Sequence, residues 1–291
     1  MKRKFIITAT VILIVGILIC GGVLFCIGFD FSRLSTVEKP VYKEQTFSAA
    51  DIQSISVAVK SDDVEIALSE DDDIHVVYYI TNNIDYQAEN RDGKLSVTRV
   101  RNASKRAWYA ILPDVNFYRY QSGVRVELPA AFNGDMEVEV SSGDVNGADI
   151  ALRNLTVRAK SGKISFENIS ARTTASFVAA SGDIRVEKMR CESFISTVTA
   201  GRTKLSGIEC KAAELKSSSG DLEIAYMDAD EVLINTASGQ VKANLAGAKE
   251  DYTVAAQSKS GDCNLPEYWG AGERKLTITA ASGDISVDFA Q

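Results

Sequence analysis

Histidine is nearly absent from this 291-residue chain: His75 is the single one, alongside five cysteines, none of them in a C-x-x-C pair. That excludes the usual zinc-site patterns and any nucleophilic triad built on a histidine elsewhere. Basic charge is also in deficit. No acidic residue precedes Asp30, whereas Lys2, Arg3 and Lys4 do, so the segment from residue 30 onward holds 29 basic against 39 acidic residues, a net charge of −10. A nucleic-acid binder needs a cationic face, so that class is excluded. With 45% apolar and 24% charged residues, the chain has ample material for a buried core and is not a disordered polymer.

From Phe5 to Phe29 there is no charge and only two threonines, Thr8 and Thr10. As a helix this run would extend about 37 Å against roughly 30 Å of hydrocarbon. A cleavable signal peptide would have a shorter apolar region ending in a small-x-small site, which is lacking near Phe29. The reading is an uncleaved signal anchor. Lys2, Arg3 and Lys4 on one side, against Arg33 and Lys39 on the other, place the N-terminus in the cytoplasm and residues 30–291 outside. Cys20 follows Ile19 where a lipobox would place a small residue, so Cys20 and Cys26 read as apolar residues of the span.

The rest of the chain is organised by a repeat. A Ser-Gly-Asp signal, varied in places, centres on Gly143, Gly162, Gly182, Gly201, Gly220, Gly239, Gly261 and Gly283, with steps of 19, 20, 19, 19, 19, 22 and 22 residues. Apolar side chains recur two and four residues after the glycine, as in Ile164 and Phe166, Ile184 and Val186, Leu222 and Ile224, or Ile285 and Val287. They recur again seven, five and three residues before the next glycine, as in Leu155, Val157 and Ala159 or Leu276, Ile278 and Ala280. Each repeat is therefore strand, short connection, strand, turn. Such a pair cannot cover its own apolar face, but equivalent pairs stacked at about 4.8 Å per layer close a shared core. The expected fold is all-β: a single-stack β-solenoid ectodomain behind one N-terminal transmembrane helix. The glycine suits a turn that needs positive φ, and the extra residues of the 22-residue steps fall near Gly247–Glu250 and Glu267–Glu273, between strands.

Phase within the repeat makes further predictions. Cys191 and Cys210 both stand nine residues after their glycine, where Leu152, Ala171, Ala229 and Ala248 stand elsewhere. They stack either as part of an inward column of small residues or as a disulfide between adjacent layers; Cys263 has a core phase and reads as an unpaired thiol. Residues after the glycines form the column Asp144, Lys163, Asp183, Arg202, Asp221, Gln240, Asp262 and Asp284. Interleaving Lys163 and Arg202 would relieve repulsion among stacked carboxylates, a structural reading that argues against calcium turns.

The membrane-proximal half is less regular. Strands are expected over Ile52–Val59, Val64–Leu68, Ile74–Ile80, Lys94–Val100, Val124–Leu128 and Met136–Val140, with Asp92-Gly93 as a hairpin turn and Ser61–Val64 as a degenerate repeat turn. The domain plan is then 1–4 cytoplasmic, 5–29 anchor, 30–45 tether, 46–140 irregular β region, and 141–291 regular solenoid. With its anchor, the segment Val124–Pro129 leading into Met136–Val145, and the Ser-Gly-Asp ladder behind it, the chain resembles a bacterial β-strand-repeat family of putative adhesins, a family of unknown function that includes surface proteins of Lia-type envelope-stress systems. The resemblance covers about residues 45–291; Lys163, Ala200, Arg202 and Gln240 depart from the turn motif. It implies a single-pass bacterial envelope protein with a solenoid ectodomain, and it brings no catalytic residues.

The most unusual stretch is Arg99 to Tyr120. There Arg101, Arg106 and Arg119 stand beside Trp108, Tyr109, Phe117, Tyr118 and Tyr120, flat apolar surface with planar donors, suited to sugars, peptides or anionic headgroups. The competing reading is a cap over the open end of the solenoid. A polysaccharide-cleaving enzyme would need paired carboxylates, for which stacked Asp262 and Asp284 are the candidates. His75, beside Glu70–Asp73, reads as a strand residue after an acidic turn. The expectation is a non-enzymatic envelope protein without catalytic, metal or cofactor-binding residues. It would serve adhesion, scaffolding or stress signalling through an envelope protein, peptide or glycan.

Overall fold

Strands with one apolar face must stack to hide it, and the repeat supplies such strands in register. The computed structural model describes residues 2–26, 28–30, 39–81, 84–100 and 123–290. The chain divides into two units. The smaller takes Met1–Val41, Ile80–Asp85 and Arg101–Gln121. Its main described element is the helix Lys2–Cys26, followed by a turn in which the Phe29 N–H donates to the Leu24 carbonyl at 2.9 Å. Side chains of this helix are described from Thr10 on, with Ile12, Leu18 and Phe25 exposed. Among the described residues no helix is long and apolar enough to cross a membrane, so the span expected over 5–29 remains a proposal.

The larger unit comprises Tyr42–Tyr79, Tyr86–Val100 and Ser122–Gln291. Its repeat strands run parallel in two ladders joined at the glycine corner. On the side before the corner, Asp135–Ser142, Ala151–Ser161, the second half of Ile164–Ser181, Ser193–Ala200, and the second halves of Thr203–Ser219 and Leu222–Ser238 follow one another. On the side after it, Ile164, Ile184, Thr203, Leu222, Val241 and Ile285 pair each with the next along one column. Leu155, Ala175, Phe194, Ala213, Val232 and Leu276 form another, each at most 2% exposed. Phe177 bridges Phe166 and Phe194 with ring centroids 5.3 and 5.8 Å away, which ties the two sides across the core.

Sequential stacking holds only in the middle. At the far end the strand Arg274–Ser282 lies between Leu222–Ser238 and Tyr252–Ser258, and Ile285–Ala290 lies between Val241–Ala246 and Cys263. The corner order is thus Gly239, Gly283, Gly261: the chain skips one layer, then returns to fill it. The two 22-residue steps provide the extra length for this excursion. The near end does the same. Ser54–Val59 and Asp63–Leu68 lie between the coil of Asp135–Ser142 and Val145–Ala148 and an outer coil made by Lys94–Val100 and Gly123–Leu128. Each outermost layer is then covered by an antiparallel strand, Asp73–Ile80 on Gly123–Leu128 and Tyr268–Trp269 on Tyr252–Ser258, which blunts the open edges.

The expected near-end strands are present with small shifts at their ends, and two more occur, Val41–Ser48 and Asp85–Arg91. The tether expected over 30–45 is described from Lys39 on, and from Val41 it is already a strand, paired with Asp73–Ile80. Its mostly exposed side chains carry little apolar periodicity, so backbone pairing and polar contacts hold it.

Candidate functional site

At the glycine corner, backbone approaches backbone. A Cβ on Gly162 would lie 2.0 Å from the Gly143 carbonyl oxygen, with φ at 129°, and the same clash recurs up the ladder of turn glycines. The neighbouring carboxylates are bound to the backbone. Asp63 accepts the Asp144 N–H at 2.8 Å, Asp144 that of Lys163 at 2.8 Å, Asp183 that of Arg202 at 2.8 Å, Asp221 that of Gln240 at 3.1 Å, and Asp284 that of Asp262 at 3.0 Å. The accepting Asp residues therefore have a role beyond charge: each of these clips the next layer's N–H, which Lys or Arg cannot do. Asp262 and Asp284 belong to this exposed ladder, and the exchanged layer order makes Asp284 the acceptor.

Cross-layer ion pairs stripe the outside. Arg153 forks onto Asp135 at 2.8 and 2.6 Å and holds its carboxyl below the usual range, and Lys204 meets Glu223 at 2.8 Å. A cavity of about 450 Å³ is lined by Ile52, Gln53, Asp72, Phe132, Asn133 and Arg153, but the Arg153 guanidinium is already engaged by Asp135. A second, about 330 Å³, includes Asn264, whose side-chain amide donates to the Val287 carbonyl at 2.9 Å and accepts its N–H at 3.0 Å.

The constellation that sequence spacing did not reveal surrounds His75, on Asp73–Ile80. Its Nε2 meets Asp71 Oδ1 at 2.8 Å and its Nδ1 meets Glu44 Oε1 at 2.9 Å and Thr46 Oγ1 at 3.3 Å. The Tyr42 hydroxyl donates to Glu44 at 2.7 Å, and Glu127 is paired across the strands with His75. The Asp71 contact raises the imidazole pKa; in turn His75, the Asp73 N–H and Ser69 bring Asp71 down to about 2, and Tyr42 with His75 lowers Glu44. The two carboxylates sit on opposite ring nitrogens and do not converge on a point. Among the described residues no group of three or more His, Cys, Asp or Glu could hold a metal ion. The arrangement is a clamp joining Val41–Ser48 to Asp73–Ile80, and Glu44, 31 residues from His75, offered no local signal.

Of the aromatic-basic stretch, Arg101, Arg106, Trp108, Tyr109, Phe117, Tyr118, Arg119 and Tyr120 lie outside the described residues. Arg99, at its start, is described: it pairs at 3.0 Å with Asp62, whose side chain is 3% exposed. That makes Arg99 the counter-ion of a buried turn carboxylate rather than a free donor. The flanking strands, Lys94–Val100 and Gly123–Leu128, meet the corner on the outermost coil, where Gly123 packs against the Asp63 carbonyl.

Fold and site together define an all-β repeat protein whose corner carboxylates bind its own backbone. The chain belongs to the Toastrack DUF4097 family, whose model matches residues 52–288. No curated protein matches it. Among solved structures it is similar to a putative lipid binding protein from Parabacteroides distasonis (13% identity, TM-score 0.48, covering 88% of this chain and 98% of that one). It is also similar to a putative adhesin from Bacteroides fragilis (14% identity, TM-score 0.47, covering 86% and 97%).

Proposed function

We propose that this is a non-enzymatic, membrane-anchored protein of the bacterial cell envelope. Its β-solenoid is held outside the membrane for adhesion, scaffolding or envelope-stress signalling, through contact with an envelope protein, peptide or glycan. The observation that carries the non-enzymatic reading is the corner ladder. Of the candidate pair for acid-base work on a polysaccharide, Asp284 accepts the Asp262 N–H at 3.0 Å, just as Asp63, Asp144, Asp183 and Asp221 accept backbone N–H groups of the neighbouring coil at 2.8–3.1 Å. A carboxylate engaged that way is aimed at the protein, whereas glycoside cleavage needs both carboxyls of the pair aimed at the sugar. Anchoring is supported by the uncharged run Phe5–Phe29 and the helix Lys2–Cys26 that covers most of it.

Two measurements on the full chain test this. Expressed in bacteria, it should sediment with membranes, and protease added to intact spheroplasts should digest the solenoid; digestion only after lysis would refute the orientation. Incubated with wall and capsule polysaccharides, it should retain one or more without releasing new reducing ends. Their appearance, lost on Asp284→Asn, would replace the reading with a polysaccharide-cleaving one.

A further inference from the structure

We propose that Cys191 and Cys210 are an oxidisable pair that closes a disulfide between neighbouring coils of the solenoid. The register around them is fixed from both sides. Arg190 pairs with Glu209 across the layers and its Nε meets that carboxylate at 2.8 Å; one step beyond the cysteines, Lys211 Nζ meets Glu192 at 2.7 Å. The backbone agrees, since the Cys191 N–H donates to the Glu209 carbonyl and the Lys211 N–H to the Glu192 carbonyl, both at 3.0 Å. Cys191 and Cys210 are therefore in-register neighbours on adjacent parallel layers. Adjacent strands lie about 4.8 Å apart, inside the Cα separation of about 4.4–6.8 Å that a disulfide requires.

The column has room for the bond. Cys210 pairs with Ala229, and Ala171 holds the same phase on the layer preceding Cys191; both alanines are at most 2% exposed, while the two cysteines are half-buried and reachable. Cys191 beside it, with burial, raises the proton affinity of the Cys210 thiol. Cys263, also half-buried, stands apart with Ile285 as its bridge partner.

The chemistry needs a disulfide oxidant. One cysteine, as thiolate, attacks a sulfur of the oxidant and expels a thiolate, leaving a mixed disulfide; the second attacks the protein sulfur of that mixed disulfide and expels the other thiolate. Two protein thiols are oxidised, one external disulfide is reduced to two thiols, and the protein's two protons pass to the leaving groups. An extracytoplasmic position would supply such an oxidant, but the pairing does not rest on that position.

The test uses the full chain, purified reduced, then exposed at pH 8 to oxidised glutathione. Remaining thiols are alkylated and the protein is mapped by mass spectrometry after trypsin, which cuts at Arg202 and Lys204 between the two cysteines. The expected product is two mass units lighter before alkylation, yields a linked Cys191–Cys210 peptide, and leaves Cys263 alkylated. It should melt roughly 5–10 °C higher than the reduced form, a shift that C191S and C210S each lose. Alkylation of both cysteines after oxidation, a persistent glutathione adduct on either, or a link between two molecules would overturn the proposal.

Discussion

A methyl group added at Gly201 would lie 2.2 Å from the Gly182 carbonyl oxygen with φ at 138°, whereas at Gly207, where φ is 68°, the nearest atom would be 3.6 Å away. Both positions carry backbone strain, but only the corner adds a collision with a neighbouring layer that cannot retreat. Gly201→Ala should therefore cost about 3 kcal/mol and Gly207→Ala about 1 kcal/mol, read from denaturant unfolding. Equal losses would show that φ alone makes the corner glycine necessary. At His75 the relevant variable is pH. Its raised pKa means that the clamp's contribution is fully present below the ordinary imidazole value near 6.5 and disappears as pH rises through the raised one. The lowered pKa values of Asp71 and Glu44 work the other way, adding stability above the ordinary carboxylate range and losing it as pH falls towards 2. Tyr42, Thr46 and the cross-strand Glu127, itself paired with Arg125, complete the surroundings of the ring. The melting temperature should consequently fall between pH 6 and pH 8 in the native chain and stay flatter in His75→Gln, with faster amide exchange in Val41–Ser48. A native profile no steeper than the variant's would refute the clamp. The corner glycines were legible because their demand is local and periodic; the clamp was not, because Glu44 and His75 meet only after two unrelated strands pair.

The strand Arg274–Ser282 illustrates what a repeat period conceals. Its apolar phase places it in the stack correctly but is silent about which neighbours it has, since any layer offers the same face. Specific polar contacts decide. Arg274 donates to the Ala246 carbonyl at 3.0 Å and the Tyr252 hydroxyl at 3.2 Å, pairs with Asp228 at 2.9 Å, and stands 5.7 Å from the Tyr252 ring centroid. Tyr252, fully buried, donates its hydroxyl to the same Ala246 carbonyl at 2.7 Å. These groups pin the returning coil to the layers on either side of it, through Asp228 and Ala246 on one and Tyr252 on the other. Arg274→Ala should accelerate exchange across 252–258 and 274–290 while leaving 151–219 protected, with a loss of about 2 kcal/mol; Tyr252→Phe, which keeps the ring, should lose about 1 kcal/mol. Uniform acceleration throughout the solenoid would show that the end does not open as a unit.

Across the larger unit, the layers of the regular middle contact only their neighbours, so stability there should behave as a sum of coil and interface contributions. The exposed ion pairs between layers add little individually, about 0–1 kcal/mol, and the buried columns supply most of the cohesion. Whole coils should then be removable. Excising residues 183–201 joins Gly182 to Arg202 and sets Thr203 over Ile164 and Ala213 over Ala175, each apolar column losing one rung and keeping its phase. The shortened chain should still unfold cooperatively at a lower temperature, without the Phe177–Phe194 contact and without the Asp183 clip on Arg202. Excising only residues 183–191 removes the after-corner strand alone, so every later corner falls on the wrong side of the stack; that chain should show no cooperative transition and should elute as an expanded or aggregated species. The pair of deletions separates a nearest-neighbour stack from a fold whose middle is fixed by its exchanged ends, for in the latter both would fail alike, whatever phase the cut preserved.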